Sequence, residues 1–311
     1  MQEASTPAPL KTRVYIDGYN FYYGCLKGTP WKWLDLAVLF EKSILPSILY
    51  RQNGLICQSA CIQPAIRYFT ANILEKAAKA GDSVSSQERY HTALRKLYAD
   101  KIEVIKGYYA LNEASAKQID PNYPDVWPRD CPSVQVWKLE EKQSDVNLAL
   151  QAYHDALTGA VDQVVLVTND TDIAPAMDMI RRHTSVIIGL VVPTTDHKRI
   201  PNTELAERAH WIRTHISRDE LARSQLPRVI PGRRPTIKPM SWYARPDLLT
   251  QVLDMAAAVT GSRGEAFKWM EKPNPWLEGQ APVDLVETLE GADRVMAYIR
   301  AWMAEQSERG N

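Results

Sequence analysis

Four aspartates in this sequence stand where segments typical of buried strands end. Asp17 closes the segment RVYID, and both Asp170 and Asp172 follow QVVLVT. Asp145 follows VQVWKLEEK and opens a helical pattern. The carboxyl ends of strands in an open parallel sheet share one edge, so these side chains are predicted to meet in one crevice. Crowded carboxylates repel one another and stay ionised at neutral pH only beside a cation, and Mg²⁺ or Mn²⁺ suits such hard oxygen ligands.

A divalent ion in that crevice predicts hydrolysis of a phosphodiester. The ion makes a bound water more acidic and offsets negative charge on the leaving oxygen. Asn20 follows Asp17 by one helical turn and can orient that water or a phosphate. Thr168 or Thr171 can hydrogen-bond a metal-bound water or a phosphate oxygen.

Each acid taken singly also has an ordinary structural role. Asp145 and Asp172 stand where a capping acid stabilises a helix by about 0.5–2 kcal/mol. Asp17-Gly18 is a common turn pair. Capping does not require several acids at converging strand ends, so their conjunction favours the metal site.

Cations and aromatic side chains near these acids are candidates for substrate contact. Lys142 either meets a phosphate or belongs to a solvated charge run with Glu140 and Glu141. Arg181 lies on the helical segment after Asp172. An aromatic cluster after the first strand either stacks unpaired bases or packs the first helix against the sheet, and it comprises Tyr19, Tyr22, Tyr23, Trp31 and Trp33.

Other phosphate-binding signatures are missing from the sequence. There is no G-x-G-x-x-G after the first strand and no G-x-x-x-x-G-K-[ST], which disfavours dinucleotide and nucleoside-triphosphate binding. Tyr19 stands where an aspartyl phosphotransferase needs a second acid. Neither G-x-S-x-G nor H-E-x-x-H occurs.

Strand-like and helix-like segments alternate through the first two thirds of the chain, which predicts an α/β fold with a parallel sheet flanked by helices. The predicted strands after the first are Ile62–Thr70, Ile102–Tyr109, Val134–Leu139, Gln163–Thr168 and Ser185–Val192. The predicted helices are Trp33–Ile44, Gln87–Ala99, Asp145–Leu157 and Ile173–His183. The segment Leu111–Pro132 has little periodicity and is interpreted as a long loop.

The character of the sequence changes after residue 222, which predicts three parts: a catalytic domain over 11–222, a basic proline-rich linker over 223–240 and a small all-helical domain over 241–308. The linker carries Arg228, Arg233, Arg234 and Lys238. The expected helices of the last part are Pro246–Val259, Gly264–Met270, Val283–Leu289 and Gly291–Met303.

Composition places few limits on the partner. Lys plus Arg and Asp plus Glu each total 37, so any contact with nucleic acid must come from local patches. The four cysteines show no paired CxxC arrangement and indicate reduced thiols. No run approaches the ~20 apolar residues of a membrane span, so we expect a cytoplasmic protein without a membrane anchor.

Three blocks of this sequence resemble the signature of the NYN domain, the LabA-like branch of the PIN-type nuclease superfamily. They are RVYIDGYNFYYG, KQSDVNLALQAYHDAL and VVLVTNDTDIAP, within residues 11–216. The resemblance implies a Rossmann-like, PIN-like sheet, a Mg²⁺ or Mn²⁺ site and RNA cleavage. It assigns the metal to Asp17, Asp145, Asp170 and Asp172, with Asn20 as the accompanying amide. Where the family commonly has Ser-Gly-Asp, this chain has Thr168-Asn169-Asp170, and Asn tolerates the left-handed backbone that Gly provides.

The segment EAFKWMEKPNPWLEGQAPVDLVETLEGADRVMAYI is similar to the toxin-binding domain at the end of Xre/MbcA/ParS-type antitoxins, over about 242–303. That resemblance implies a helical module for binding a protein partner or for self-association, in a bacterial toxin–antitoxin or defence setting.

The sequence therefore predicts a metal-dependent endoribonuclease. Two alternatives stay open. One is a non-cleaving module that binds RNA or protein and acts as an antitoxin, and the other is an enzyme that uses the same crevice for a small molecule.

Overall fold

The computed structural model describes residues 8–52, 54–195 and 199–309. The chain divides into two compact units, the first ending at Ile237 and the second beginning at Lys238. The strands in chain order are β1 (Leu10–Asp17), β2 (Arg51–Gln52), β3 (Leu55–Ile56), β4 (Ser59–Ala71), β5 (Ile102–Lys117), β6 (Ser133–Lys142), β7 (Gln163–Val167), β8 (Ile187–Val191), β9 (Trp211–Arg213), β10 (Val229–Ile230) and β11 (Thr236–Ile237).

Helices of the first unit lie between these strands. They are α1 (Gly18–Phe21), α2 (Ser83–Leu97), α3 (Ser144–Leu157), α4 (Ala174–His183), α5 (Thr203–Ala206) and α6 (Arg218–Arg223). The helix predicted over Trp33–Ile44 is different in the structure. A 3-10 turn covers Pro30–Lys32 and a π-helical segment covers Val38–Ile44.

Seven strands form the main sheet in the order β6-β5-β4-β1-β7-β8-β9, and all neighbours are parallel except β5 and β6. The central strand β1 lies between β4 and β7, and its residues Val14, Tyr15 and Ile16 are completely buried. Burial on both faces is typical of parallel sheets covered by helices. The predicted α/β fold with a parallel, helix-flanked sheet is confirmed.

The order of the strands reverses direction at β1. The chain proceeds from β1 to β4 and β5 on one side, then crosses to β7 and β8 on the other. Such a switch point opens a crevice at the carboxyl ends of the two strands that flank it. β1 ends at Asp17, and its neighbour β7 ends at Val167.

The core on one face of the sheet contains α3 and α4. Leu148 and Ala152 of α3 and Met177 of α4 pack with Leu166 and Ile188 of the sheet, and all five are at most 1% exposed. This apolar stripe fixes both helices, whose N-terminal ends lie at the carboxyl edge of the sheet.

The stretch Leu111–Pro132, predicted as a loop, begins as strand, which corrects the prediction over Leu111–Lys117. β5 continues to Lys117 and pairs with β6 over ten residue pairs, so only 118–132 connects the two strands. This ribbon is exposed on both faces, and its segment Leu111–Lys117 therefore has one large apolar residue, Leu111, too few to mark a half-buried strand.

The segment 223–240, predicted as a linker, contains the antiparallel pair β10 and β11. Ile230 is 1% exposed, and the Lys96 ammonium on α2 donates hydrogen bonds to the Arg234 carbonyl and the Thr236 hydroxyl at 2.5 and 2.8 Å. These contacts make the segment up to Ile237 part of the first unit.

The second unit is helical, as the sequence predicts. Its helices are α7 (Pro246–Thr260), α8 (Arg263–Met270), α9 (Pro282–Leu285) and α10 (Leu289–Arg309). Leu249, Val252, Met270 and Val295 form the centre of its core, whereas Trp276 is 80% exposed. Among the helices in the described part of the chain, none is long and apolar enough to span a membrane.

Candidate active site

Asp17 lies at the carboxyl end of the central strand and is 5% exposed. Its Oδ1 accepts a hydrogen bond from the Asn20 amide at 2.9 Å, which caps α1. Its Oδ2 accepts from the Thr168 hydroxyl at 2.9 Å. The carboxylate is therefore fixed between the ends of β1 and β7.

The loop after β7 carries the next two acids. The Asp170 amide donates to the Thr168 hydroxyl at 3.1 Å, and Asp170 Oδ1 accepts from the Asp172 amide at 3.1 Å. Thr168 is completely buried, so it orients Asp17 and this loop and does not face the crevice. Asp170 is half-buried, and Asp172 is exposed at the start of the turn that leads into α4.

The end of β6 and the first turn of α3 present a fifth acid, Glu141, and Asp145. Glu141 accepts hydrogen bonds from the Ser144 hydroxyl at 2.5 Å and from the Tyr109 hydroxyl at 3.2 Å. Gln143 has a φ of 76°, a left-handed conformation that is uncommon for a residue with a side chain and that is concentrated at functional sites. A Cβ at Gly107 would lie 2.3 Å from the Lys142 carbonyl oxygen, so this close approach of β5 to the turn requires glycine.

The acids influence one another electrostatically. Burial raises the pKa of Asp17 to about 7, with added repulsion from Asp145 and Glu141, against hydrogen bonds from Asn20 and Thr168 that lower it. Burial, followed by repulsion from Asp170, Glu141 and Asp172, raises the pKa of Asp145 to about 6. Acidic side chains from three separate segments of the chain thus repel one another at the carboxyl edge of the sheet.

The donor set at this edge consists of carboxylate and amide oxygens. Within the described residues, no three His, Cys, Asp or Glu side chains are close enough to form a ready coordination cage. Mg²⁺ usually binds through one or two carboxylates, retained waters and substrate phosphates. Asn20 Oδ1 is buried without a hydrogen-bond partner, an acceptor available to a water or a ligand proton. The oxygen donors and raised pKa values fit a hydrated Mg²⁺ or Mn²⁺ ion.

The structure places the candidate substrate residues unequally. Tyr19 lies in α1, which directly follows Asp17, and Thr171 opens the 3-10 turn that directly follows Asp170. Lys142 instead donates to Glu140 Oε2 at 3.0 Å, and it alternates with Glu141 on opposite faces of β6. Arg181 lies near the C-terminal end of α4, away from the end that carries Asp172, and donates to the Arg208 carbonyl at 3.0 Å.

Aromatic residues after β1 divide into a packed and an exposed group. Trp33 is completely buried, in contact with Tyr90. Tyr19 is 48% exposed, its ring centroid is 4.5 Å from that of Tyr23, and the Lys27 ammonium lies 4.5 Å from the Tyr23 centroid. The exposed tyrosines form an aromatic and cationic surface beside Asp17.

Sequence analysis missed two supporting features. Glu141 was grouped with a solvated charge run, and only the alternation along β6 separates it from Glu140. The second feature is a buried network in which Asp155 Oδ2 accepts hydrogen bonds from Arg13 at 2.5 Å, Tyr15 at 2.5 Å and Arg67 at 2.6 Å. It ties the C-terminal half of α3 to β1 and β4, so it positions the helix whose first turn carries Asp145.

An open pocket of about 830 Å³ lies at the amino edge of the sheet, near the starts of β4 and β5. Leu45, Ile48, Ile56 and Ile62 supply apolar walls. Lys101 also lines it, and its ammonium is 2.8 Å from a Glu41 carboxylate oxygen. The volume of this pocket is within the range of pockets that bind small organic molecules.

Comparison with known proteins identifies two families. Residues 11–210 match the NYN domain, and residues 255–303 match the antitoxin Xre/MbcA/ParS C-terminal toxin-binding domain, which confirms both resemblances. A curated protein of Pseudomonas putida, named 6-hydroxy-3-succinoylpyridine 3-monooxygenase HspA, is 62% identical over 310 residues, 99% of each chain. A solved structure from Vibrio parahaemolyticus, a protein of unknown function, is 17% identical, covers 70% of this chain and 98% of that chain, and has a TM-score of 0.36.

Proposed function

Because this chain belongs to the NYN domain family, whose nuclease-type fold supports a nuclease-like role, we propose that its acid crevice is the active site of a Mg²⁺- or Mn²⁺-dependent endoribonuclease. One observation carries the proposal. Asp17, Asp145, Asp170, Asp172 and Glu141 form one electrostatically coupled group at the carboxyl edge, with raised pKa values at Asp17 and Asp145. A purely structural loop cluster gains nothing from such repulsion.

Each residue has a defined task in this proposal. Asp17, Asp145, Asp170 and Asp172 would hold the ion, directly or through its waters. When bound, the ion supplies an acidified water and neutralises charge on the leaving oxygen. Asn20 Oδ1 would accept a hydrogen bond from the attacking water or from a substrate hydroxyl and so orient it. Thr168 keeps the Asp17 carboxylate in place.

RNA approaches over the exposed tyrosines. Tyr19 and Tyr23 offer faces for unpaired bases, and Lys27 beside Tyr23 offers a cation for the backbone. The substrate would be cytoplasmic RNA. The second unit, which matches an antitoxin toxin-binding domain, would bind a protein partner or a second copy.

The test is cleavage of tRNA and mRNA fragments with Mg²⁺ or Mn²⁺ by the full chain, Asp17→Asn and Asp170→Asn. We expect each variant to lose on the order of a hundredfold or more in rate. Asp162→Asn is the matched control, because Asp162 accepts from the Lys11 amide at the opposite edge of the sheet. Equal cleavage by all four proteins overturns the proposal, and RNA binding without cleavage by any of them supports the non-cleaving alternative.

A second candidate is favoured by the relative that is 62% identical over 99% of both chains. We propose as this alternative that the chain oxygenates a 6-hydroxypyridine carrying a succinoyl group. One atom of O₂ would enter the substrate and the other would become water. An added reduced nicotinamide would supply two electrons and one proton, and solvent would supply the second proton. The amino-edge pocket is the candidate binding site, where Lys101 can pair with the succinoyl carboxylate.

This alternative has its own assay. Consumption of 6-hydroxy-3-succinoylpyridine and O₂ is followed with a reduced nicotinamide, with and without added flavin. Lys101→Gln is expected to raise the KM, and Asp17→Asn to leave the rate unchanged. If the parent chain consumes no pyridine under any of these conditions, the candidate fails.

A further inference from the structure

The ribbon of β5 and β6 extends beyond the body of the sheet. β4 last pairs with β5 at Gly107, and from Tyr108 to Lys117 β5 pairs only with β6. A two-stranded ribbon alone is marginally stable in water. Among the described strands, none pairs with the outer edge of β6. This free edge is ten residues long and is a template for another strand.

Both faces of the ribbon expose apolar side chains. Trp137 is 67% and Leu139 45% exposed on the face that also carries Glu141. Val134 and Val136, on the opposite face, are 38% and 37% exposed. Large apolar residues on a free strand edge are unusual in a monomer and indicate a protein interface.

Charge along β6 favours a protein over RNA and favours a copy of itself. The exposed charges alternate as Lys138, Glu140 and Lys142, with Glu140 accepting from both lysines at 2.6 and 3.0 Å. A net basic stripe, the requirement for an RNA backbone, is missing from this edge. We infer that β6 pairs antiparallel with β6 of a second copy, about a two-fold axis at Leu139.

The charges select that register. A two-fold axis perpendicular to the sheet leaves each residue of both strands on the same face. Opposite residues also share a face, so the axis must lie midway between the two copies of one residue. An axis at Leu139 places Lys138 of each copy opposite Glu140 of the other. An axis at Lys138 or at Glu140 brings two like charges face to face, which is destabilising.

The same register extends the crevice. With the axis at Leu139, Trp137 of one copy lies opposite Glu141 of the other. Each copy therefore contributes an aromatic side chain beside the fifth acid of its partner's crevice, and pairing fixes the strand that carries Glu141.

The decisive test uses charge variants of the full chain, with mass measured by light scattering after gel filtration. The parent is expected at twice 35.2 kDa. Lys138→Glu and Glu140→Lys are each expected as monomers, because each places like charges across the axis. Mixing the two single variants restores opposite charges at both positions and is expected to give a heterodimer. A monomeric parent, or single variants that dimerise as well as the parent, overturns the inference.

A cross-linking experiment checks the register. In a Cys131→Ser background, Leu139→Cys is expected to join two copies through a short bifunctional maleimide, because both copies meet at the axis. Ser133→Cys is the matched control, since its two copies lie about 40 Å apart at ~3.4 Å per residue. Equal cross-linking at both positions contradicts this pairing. Far-UV circular dichroism of every variant confirms that it folds.

Discussion

Two groups of acids in the same domain have opposite electrostatic environments. Asp155, in the second half of α3, accepts hydrogen bonds from Arg13, Tyr15 and Arg67. Burial raises its pKa, but hydrogen bonds from Tyr15 and Arg13 and the charges of both arginines outweigh burial, and the net pKa is lowered. Among the described residues, no such cation pairs with Asp145, in the first turn of the same helix, and burial and repulsion raise its pKa. Compensated acids hold the fold, and uncompensated acids are available for a ligand.

The largest expected effect lies in the compensated group. Asp155→Ala leaves the buried Arg13 guanidinium without its carboxylate, and we expect a loss of about 3–5 kcal/mol in the free energy of unfolding. Asp162→Ala removes an exposed acid paired with Lys11 at 3.6 Å and should cost about 1 kcal/mol or less. Urea unfolding measures both. Equal losses would erase the distinction between the two groups.

The uncompensated group should respond to a cation. Mg²⁺ or Mn²⁺ at about 100 times its dissociation constant should stabilise the fold by about 2.7 kcal/mol at pH 8. Binding displaces protons from Asp17 and Asp145, so the gain should shrink at pH 5, below their pKa values of about 7 and 6. Thermal unfolding with and without the ion measures this. A gain that Asp17→Asn leaves intact would place the ion elsewhere.

The two groups should also give opposite dependences on pH without metal. The folded pKa of Asp17 is raised from 3.8 to about 7, so the stability it contributes at low pH is lost as the pH rises towards 8. Asp17→Asn should therefore be more stable than the parent at pH 8 by about 1–3 kcal/mol, and much less so at pH 5. Asp155, with a lowered pKa, contributes stability above pH ~4 that is lost in acid. A parent and an Asp17→Asn variant with parallel profiles from pH 5 to 8 would contradict this.

The smallest effects are expected from cations outside the crevice. Lys142→Gln and Arg181→Gln each remove a side chain that bonds to Glu140 or to the Arg208 carbonyl. We expect RNA affinity to change by less than about threefold in each case. Filter binding measures it, with Tyr19→Ala as the comparison, for which loss of base stacking should cost about 1–3 kcal/mol. A tenfold loss in Lys142→Gln would show that RNA follows the ribbon.

The positions of the four aspartates could be predicted because each follows an apolar segment that ends at the same edge of the sheet. Glu141 could not, since the predicted strand ended at Leu139, and only its continuation to Lys142 in the structure places Glu141 and Glu140 on opposite faces. The Asp155 network was also missed. Arg13 and Arg67 are charged residues inside buried strands, and only the tertiary arrangement shows that one carboxylate serves both.

The remaining predictions were accurate where the signal is local in the sequence and wrong where it is not. Helices α3 and α4 were predicted almost to the residue, because an apolar stripe of period 3.6 is a local signal. Arg181 was placed near the acids because its helix starts there, yet a ten-residue helix is about 15 Å long and Arg181 lies in its last turns. The hairpin of β10 and β11 is too short to leave any periodicity.

The Thr168 hydroxyl joins two strand ends through one oxygen, because it donates a hydrogen bond to Asp17 and accepts one from the Asp170 amide. Neighbouring strands in a sheet are about 4.8 Å apart, and this link ties the first acid and the second loop to that interval. If the ends of β1 and β7 moved closer together around an ion without water, the sheet itself would be strained. The strand spacing therefore fixes the width of the crevice. We expect it to bind cations that keep their bound water in preference to cations that lose it.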